Sequence, residues 1–219
     1  INGSDSNTIA YSYLQNTPGY GAYLNTGSNF NIISQSTIAV NNAPYRALNL
    51  FSADTNTVTG SFFFNPGGVV VAFDSGSDWN NISLSTMISN AANYALYMVA
   101  ADSNTVFASY IQNVSGYGAV LNTGADYNTI SLSTQVVNNA SFMGLYIAAD
   151  GNVVTESFIQ NPSGYGAFLN TGSDYNTISL STMISNAANF PALTIIASSS
   201  NTILNSYIQG STAAYISGS

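Results

Sequence analysis

The chain has 219 residues, of which 46% are hydrophobic and only 5% are charged, and its net charge is −8. It contains one cationic side chain, Arg46, no His and no Cys, so it cannot neutralise a row of phosphates or an anionic membrane surface, and it lacks thiol and imidazole chemistry. The apolar content excludes disorder, and no apolar run approaches the ~20 residues of a membrane helix. Nucleic-acid binding and membrane insertion are therefore excluded.

The whole chain consists of copies of one short repeat. An Asn recurs every 24 or 25 residues, at Asn7, Asn31, Asn56, Asn80, Asn104, Asn128, Asn152, Asn176 and Asn201. Five residues after each Asn comes a Ser, at Ser12, Ser36, Ser61, Ser85, Ser109, Ser133, Ser157, Ser181 and Ser206. No stretch lies outside this array, so we expect a single domain spanning residues 1–219.

Each copy contains apolar residues spaced by two, which is strand spacing. An Ile or Val follows two residues after every Asn, an apolar residue usually follows two after the Ser (Gln135 is the exception), and a third apolar pair such as Leu96 and Met98 comes later. One copy cannot bury the single apolar side of its three strands, but stacked copies can. The pattern predicts an all-β solenoid of about nine coils, roughly 43 Å long, in which the Asn and Ser side chains form structural ladders.

Residues 21–33 (Gly-Ala-Tyr-Leu-Asn-Thr-Gly-Ser-Asn-Phe-Asn-Ile-Ile) and their copies resemble the right-handed parallel β-helix repeats of the pectate-lyase-like superfamily. The resemblance lies in a Gly-led apolar strand, a Ser-or-Asp turn and an Asn-x-Ile strand, and it covers the whole chain. It implies three parallel sheets with right-handed coiling. The uniform copies also resemble long repeat arrays of bacterial surface proteins. The motif predicts the fold and not the function, because lyases, hydrolases, phage spikes and adhesins share this scaffold.

The sequence departs from the enzymes of that superfamily. The resemblance implies clustered Asp residues, often with Ca²⁺, and Arg, Lys or His on the outer face, whereas eight of nine coils here have no cation. A glycosidase needs two carboxylates about 5–9.5 Å apart, and no Asp in a neighbouring coil matches the register of Glu156, the only Glu. We therefore expect no catalytic residues and no enzymatic activity.

The acidic residues follow the repeat. Seven coils carry an Asp two residues before the Asn, at Asp5, Asp54, Asp78, Asp102, Asp126, Asp150 and Asp174. One interpretation is that each Asp accepts backbone N–H bonds within its own turn. The other is that the column binds Ca²⁺, which prefers six to eight oxygen ligands. The best candidates for such a site are Asp74 and Asp78, which share one turn, with Asp102 in the next coil; no other cofactor is expected.

Two outward columns are candidate binding surfaces. The residue after each ladder Ser alternates between Thr and an aromatic residue, the aromatic ones being Tyr13, Phe62, Tyr110, Phe158 and Tyr207. These rings, roughly 9–10 Å apart, either stack on sugar rings or pack on the Thr residues of neighbouring coils. The residue after each ladder Asn is usually Thr, which resembles the surface of β-helical ice-binding proteins, but Ile32, Asn81 and Val153 interrupt that column.

Both ends of the chain fall in the same phase of the repeat. We therefore expect that it is a segment of a longer array or a unit that stacks end to end, with its own copies or flanking repeats as partners. The expected function is a non-catalytic structural or adhesive rod, extracellular or on a cell surface. The alternative is a polysaccharide-binding module that uses the aromatic column; ice binding and a polysaccharide lyase or hydrolase rank behind both.

Overall fold

The computed structural model describes residues 1–218, which form 27 short strands joined by turns. The first sheet contains Thr8–Ala10 (β1), Ile32–Ser34 (β4), Thr57–Thr59 (β7), Asn81–Ser83 (β10), Thr105–Phe107 (β13), Thr129–Ser131 (β16), Val153–Thr155 (β19), Thr177–Ser179 (β22) and Thr202–Leu204 (β25). The second sheet contains Tyr13–Asn16 (β2), Thr37–Val40 (β5), Phe62–Asn65 (β8), Thr86–Ser89 (β11), Tyr110–Asn113 (β14), Thr134–Val137 (β17), Phe158–Gln160 (β20), Thr182–Ile184 (β23) and Tyr207–Gln209 (β26). The third sheet contains Ala22–Leu24 (β3), Leu48–Phe51 (β6), Val71–Asp74 (β9), Tyr94–Val99 (β12), Tyr117–Leu121 (β15), Met143–Ile147 (β18), Tyr165–Leu169 (β21), Leu193–Ile196 (β24) and Ala214–Ser217 (β27).

Every strand pairs in parallel with the equivalent strand of the next coil. In the first sheet, Ile9 pairs with Ile33 and Ile33 with Val58, so equivalent residues lie directly above one another. The same register holds in the other two sheets, each of nine strands. The predicted all-β solenoid of nine coils with three parallel sheets is confirmed. Residues 1–218 contain no helix of the length and hydrophobicity needed to cross a membrane.

Each sheet contributes one or two columns of buried side chains to the interior. The middle residue of each inner first-sheet strand, such as Ile33 or Val58, is fully buried, and so are alternate residues of the third sheet, such as Leu96 and Met98. Each fully buried aliphatic side chain of this size contributes about 1.5–3 kcal/mol to stability. The period of two therefore decides which side of each strand faces inward.

The nine ladder Asn residues form a hydrogen-bonded row along the rod. The backbone N–H of Asn31 donates to Oδ1 of Asn56 (2.8 Å), and the Nδ2 of Asn31 donates to the same oxygen (3.1 Å). The backbone bond recurs at each step up to Asn176, whose N–H donates to Asn201 Oδ1 (2.8 Å). Each acceptor thus belongs to the following coil, and the buried corner N–H groups are satisfied by side chains.

The Ser residues form a second row with the same direction. The N–H of Ser36 donates to Oγ of Ser61 (3.2 Å), while the Oγ of Ser36 donates to the carbonyl oxygen of Ser34 (2.8 Å). From Ser36 to Ser181 these Ser residues are buried. Each hydroxyl therefore acts as donor and acceptor at once, so its single O–H is satisfied and it also satisfies an N–H of the preceding coil.

The backbone has positive φ at both ends of every first-sheet strand. The residue directly before the ladder Asn, which we call the Asn corner, has φ between 57° and 65° in all nine coils. The residue directly before the ladder Ser, the Ser corner, has φ between 46° and 57°. This left-handed conformation is uncommon for residues other than Gly and is strained for bulky ones. The path of the coil therefore requires the left-handed conformation at both corners, whatever side chain the corner residue carries.

One core position conflicts with its surroundings. Gln135 is fully buried between Ile111 and Ile159, and neither end of its amide has a hydrogen-bond partner among residues 1–218. The equivalent places in β11 and β23 hold the fully buried Met87 and Met183. The amide is therefore desolvated without compensation.

We predict that Gln135→Met stabilises the protein by about 1–3 kcal/mol, because it removes an unsatisfied buried amide and keeps the side-chain volume. The measurement is the shift of the denaturant midpoint. Gln160→Met on the outer side of β20 is the matched control and should change stability by no more than about 0.5 kcal/mol. An unchanged or lower midpoint for Gln135→Met would show that the amide is satisfied in solution.

Candidate binding surface

The predicted aromatic column lies on the outer side of the second sheet. Tyr110, for example, stands between Thr86 and Thr134. Its hydroxyl donates to Gln112 Oε1 (3.3 Å) on the same strand. The rings on the end coils, Tyr13 and Tyr207, are exposed, and Phe62 is only just so, whereas Tyr110 and Phe158 are half buried. The inner rings thus offer only part of their surface to a ligand.

A second aromatic row, which was not predicted from the sequence, lies at the Asn corner. Its members occupy alternate coils and are 58–69% exposed: Phe30, Trp79, Tyr127 and Tyr175. The other five coils carry a small residue at the same corner: Ser6, Thr55, Ser103, Gly151 and Ser200. The signal was present in the sequence as this alternation directly before the ladder Asn. It repeats every two coils, while the interior repeats every coil.

Each corner aromatic follows a copy of one tight turn. The four copies are residues 25–30 (Asn-Thr-Gly-Ser-Asn-Phe), 74–79 (Asp-Ser-Gly-Ser-Asp-Trp), 122–127 (Asn-Thr-Gly-Ala-Asp-Tyr) and 170–175 (Asn-Thr-Gly-Ser-Asp-Tyr). The Gly has φ near 70° in each copy, which explains the choice of Gly. In the second copy the buried Ser77 hydroxyl donates to the carbonyl oxygen of Asp74 (2.8 Å). In this copy the backbone that carries the ring is thus held in place by a hydrogen bond within the turn.

Gly151, the small residue in the coil after Tyr127, leaves room for that ring. A Cβ atom on Gly151 would lie 2.7 Å from both Cδ1 and Cε1 of Tyr127. The Tyr127 ring therefore lies against the backbone of the next coil instead of projecting straight outward. The contact is made at the Cδ1–Cε1 edge of the ring, and Tyr127 as a whole remains 67% exposed.

The Asp row runs beside the corner aromatics. Oδ1 of Asp78 accepts the backbone N–H of Asp102 in the following coil (2.7 Å), and Oδ1 of Asp102 accepts that of Asp126 (2.8 Å). The interpretation that each Asp accepts N–H bonds within its own turn was wrong in this respect: the bond joins two coils. Asn29 does the same with Asp54 (2.8 Å). No donor within the described residues reaches Oδ2 of these Asp side chains.

The row also brings like charges together. Partial burial raises the pKa of Asp78 above its ordinary value of 3.8, the hydrogen bond from the Asp102 N–H opposes the rise, and the neighbouring charges of Asp102 and Asp54 add to it. Within residues 1–218 no three acidic side chains converge on a possible metal position. Calcium binding by Asp74, Asp78 and Asp102 stays a prediction.

Asp74 is instead paired with Arg46 on the outer side of the third sheet. Nη2 of Arg46 lies 3.3 Å from Oδ2 of Asp74, and both side chains are mostly buried. Arg46 also donates to the hydroxyl of Tyr20 (3.4 Å), whose ring stacks on Tyr23 at 4.7 Å. Burial raises the pKa of Asp74, and Arg46 opposes the rise. The single cation thus belongs to an aromatic-covered structural cluster.

A cleft of about 420 Å³ opens on the same sheet, between Tyr165, Pro191 and Tyr215. Its floor includes Thr194, which is buried and whose hydroxyl has no hydrogen-bond partner in the part of the chain that the structure describes. Its lining residues are all neutral. Glu156, the only Glu, lies elsewhere, exposed at a Ser corner.

We predict that Asp78→Asn raises the unfolding midpoint at pH 7. A carboxyl whose folded pKa is raised contributes stability that is complete below its unfolded pKa and is lost as the pH rises through the folded value. Asn keeps the Oδ1 acceptor, as Asn29 does, and removes the repulsion. The advantage over the parent protein should therefore disappear below pH 3.8.

The matched control is Asp78→Ala, which removes the acceptor for the Asp102 N–H. It should lower the free energy of unfolding by about 0.5–1.5 kcal/mol at both pH values, which is measured as a lower unfolding midpoint. If Asp78→Asn were as destabilising as Asp78→Ala, the charge itself would be required, as it would be for a bound cation.

Comparison with known proteins agrees with this architecture. A family model described as the right handed beta helix region matches residues 1–156, and a comparison with curated protein sequences finds no relative. The structure of the Streptococcus pneumoniae surface protein and adhesin PfbA is similar, with a TM-score of 0.55 and 13% identity, over 99% of this chain and 68% of that one.

Two further solved structures resemble the chain more weakly. An alginate lyase from Paenibacillus sp. str. FPU-7 has a TM-score of 0.47 and 10% identity, over 91% of this chain and 90% of that one. QnrB1, a plasmid-mediated fluoroquinolone resistance protein, has a TM-score of 0.37 and 13% identity, over 85% and 83%. Such identities concern the fold alone. The family match covers most of the chain and confirms the resemblance found in its repeats: the chain belongs to the right-handed β-helix family.

Proposed function

We propose that this protein is a non-catalytic adhesive rod, exposed outside the cell or on its surface. The observation that carries the proposal is the exposed aromatic side chain on every second Asn corner, mounted on a scaffold that has no geometric need for it. Large exposed apolar side chains in a regular arrangement are typical of interaction surfaces. Flanking repeats of the same protein, or further copies, are the partners proposed for the two ends of the stack.

The charged groups give little support for catalysis. Arg46 is held by Asp74, so it is poorly placed to neutralise a uronate carboxylate. The seven Asp residues of the row lie in one line along the rod, each with Oδ1 bound to a backbone N–H, and Asp74 lies apart from them. A glycosidase instead needs an acid and a second carboxylate that flank the scissile bond. The arrangement is better suited to binding than to bond cleavage.

The hydrogen-bonded rows support a mechanical role. Each inner coil is joined to both neighbours by three parallel strand pairings and by the Asn, Ser and Asp side chains. In a solenoid each coil contacts only its neighbours, so such links determine how well the rod transmits force. The likeness to a bacterial surface adhesin is consistent with this use of the fold, although fold alone does not decide function.

We predict binding without cleavage when the purified protein is incubated with neutral and acidic polysaccharides, with and without Ca²⁺. Co-sedimentation with insoluble glycans and newly formed reducing ends are measured in the same samples. Protein should be retained on at least one glycan while reducing ends stay at the level of a heat-unfolded control. Reducing ends above that level would overturn the non-catalytic proposal. Retention on none of the polysaccharides would overturn the adhesive one.

A further inference from the structure

We propose that the Asn-corner row formed by Phe30, Trp79, Tyr127 and Tyr175 is a binding surface for a neutral polysaccharide chain that lies along the rod. This inference rests on the adhesive function proposed above and names its ligand class and its site. The site is distinct from the aromatic column of the second sheet, in which Tyr110 and Phe158 are half buried.

The fold does not explain these four rings. All nine Asn corners have positive φ, and five of them are occupied by Ser, Thr or Gly. A bulky residue in this conformation is an outlier that costs of the order of 1–3 kcal/mol. The four rings nevertheless remain mostly exposed, so burial does not offset that cost. An unfavourable conformation without a packing gain points to a binding role.

The spacing of the rings favours a linear chain of sugars. With a coil rise of ~4.8 Å, rings on alternate coils lie roughly 9–10 Å apart, and the four span roughly 29 Å. That interval is close to one disaccharide unit of a β-1,4-linked glycan, in which every second sugar presents the same side. The polarised C–H groups of a sugar face are attracted to the negative face of an aromatic ring.

The polar groups beside the rings complete the surface. Asp78, Asp126 and Asp174 directly precede Trp79, Tyr127 and Tyr175, and Asn29 precedes Phe30. The Oδ1 atoms are occupied by the next coil, which leaves Oδ2 of each Asp to accept hydrogen bonds from sugar hydroxyls. The same carboxylates repel uronates and sulfated sugars. The charge of this edge therefore selects neutral glycans.

A second copy of the protein fits this edge less well. An interface between proteins is built around a contiguous, close-packed apolar centre. Here, small residues such as Thr55, Ser103 and Gly151 separate the rings, and a row of carboxylates runs beside them. Two such edges facing each other would bring like charges together without forming a continuous apolar contact.

Trp79 supplies a direct test because it is the only Trp in the chain. Its fluorescence is followed while cellohexaose or chitohexaose is added, with a hexamer of galacturonic acid as the acidic counterpart. We expect a saturable shift of the emission to shorter wavelength with at least one neutral hexamer and none with the acidic one. A shift that grows with protein concentration in the absence of sugar would overturn the proposal in favour of self-association. So would the absence of a shift with both neutral hexamers.

The site is then tested by substitution. A variant with Phe30→Ser, Trp79→Ser, Tyr127→Ser and Tyr175→Ser should bind the neutral hexamer at least about tenfold more weakly by calorimetry, since Trp and Tyr are enriched among the residues that carry most of the binding energy of an interface. It should fold, because Ser occupies the same corner in three other coils. An unchanged circular dichroism spectrum and unfolding midpoint check this. The matched control is Tyr110→Thr with Phe158→Thr in the second sheet, which should bind like the parent protein.

These outcomes separate the inference from the function on which it rests. If the corner variant binds as well as the parent, or if the second-sheet variant is the one that loses affinity, the location of the site is wrong and the adhesive function stands. If the neutral hexamer is cleaved, the non-catalytic function is wrong. If the corner variant fails to fold, Trp79→Phe and Trp79→Ser are compared: Phe should retain most of the affinity and Ser should not.

Discussion

The whole structure depends on satisfying the corner backbone of every coil from a neighbouring coil. At the ladder Asn positions the backbone N–H points along the rod, and in the buried coils water cannot reach it. The Oδ1 atom of the next Asn meets that requirement, and a buried N–H without a partner would be strongly unfavourable. Because the geometry is the same at each step, the same residue type must return every 24 or 25 residues. The uniformity of the sequence is thus a consequence of hydrogen bonding.

The polar rows run in two directions. The Asn and Ser side chains accept from the preceding coil, as Asn80 does from Asn56, whereas the Asp side chains accept from the following coil, as Asp54 does from Asp78. Each junction between inner coils is therefore fastened by acceptors from both sides. The Asp row lies nearer to solvent, where a charged acceptor is less costly than in the interior. Because each row keeps its direction along the rod, an inner coil offers its Asn and Ser acceptors to the preceding coil and its Asp acceptor to the following coil.

The interior could be predicted from the sequence, whereas much of the outer surface could not. Spacing by two and a return every 24 or 25 residues are enough to identify three strands per coil and to place Ile33 or Val58 inside. The left-handed Asn corner has no comparable signature, because residues as different as Trp79 and Gly151 occupy it. The alternation over two coils was recognised in the second-sheet column but not at the Asn corner. The direction of the Asp bonds and the lack of a partner for Gln135 depend on three-dimensional positions that spacing does not specify.

The period of two coils explains why the rings stay available. Coils with an aromatic residue at the Asn corner carry Thr in the outer column of the second sheet, as with Trp79 and Thr86, and the other coils reverse this, as with Ser103 and Tyr110. Had every coil carried a ring at one corner, neighbouring rings would lie ~4.8 Å apart, within stacking distance, and would cover one another. Alternation doubles that distance and leaves a small residue beside each ring, as Gly151 does beside Tyr127. The interior needs identical coils, while exposed rings need unlike neighbours, and a two-coil unit satisfies both conditions.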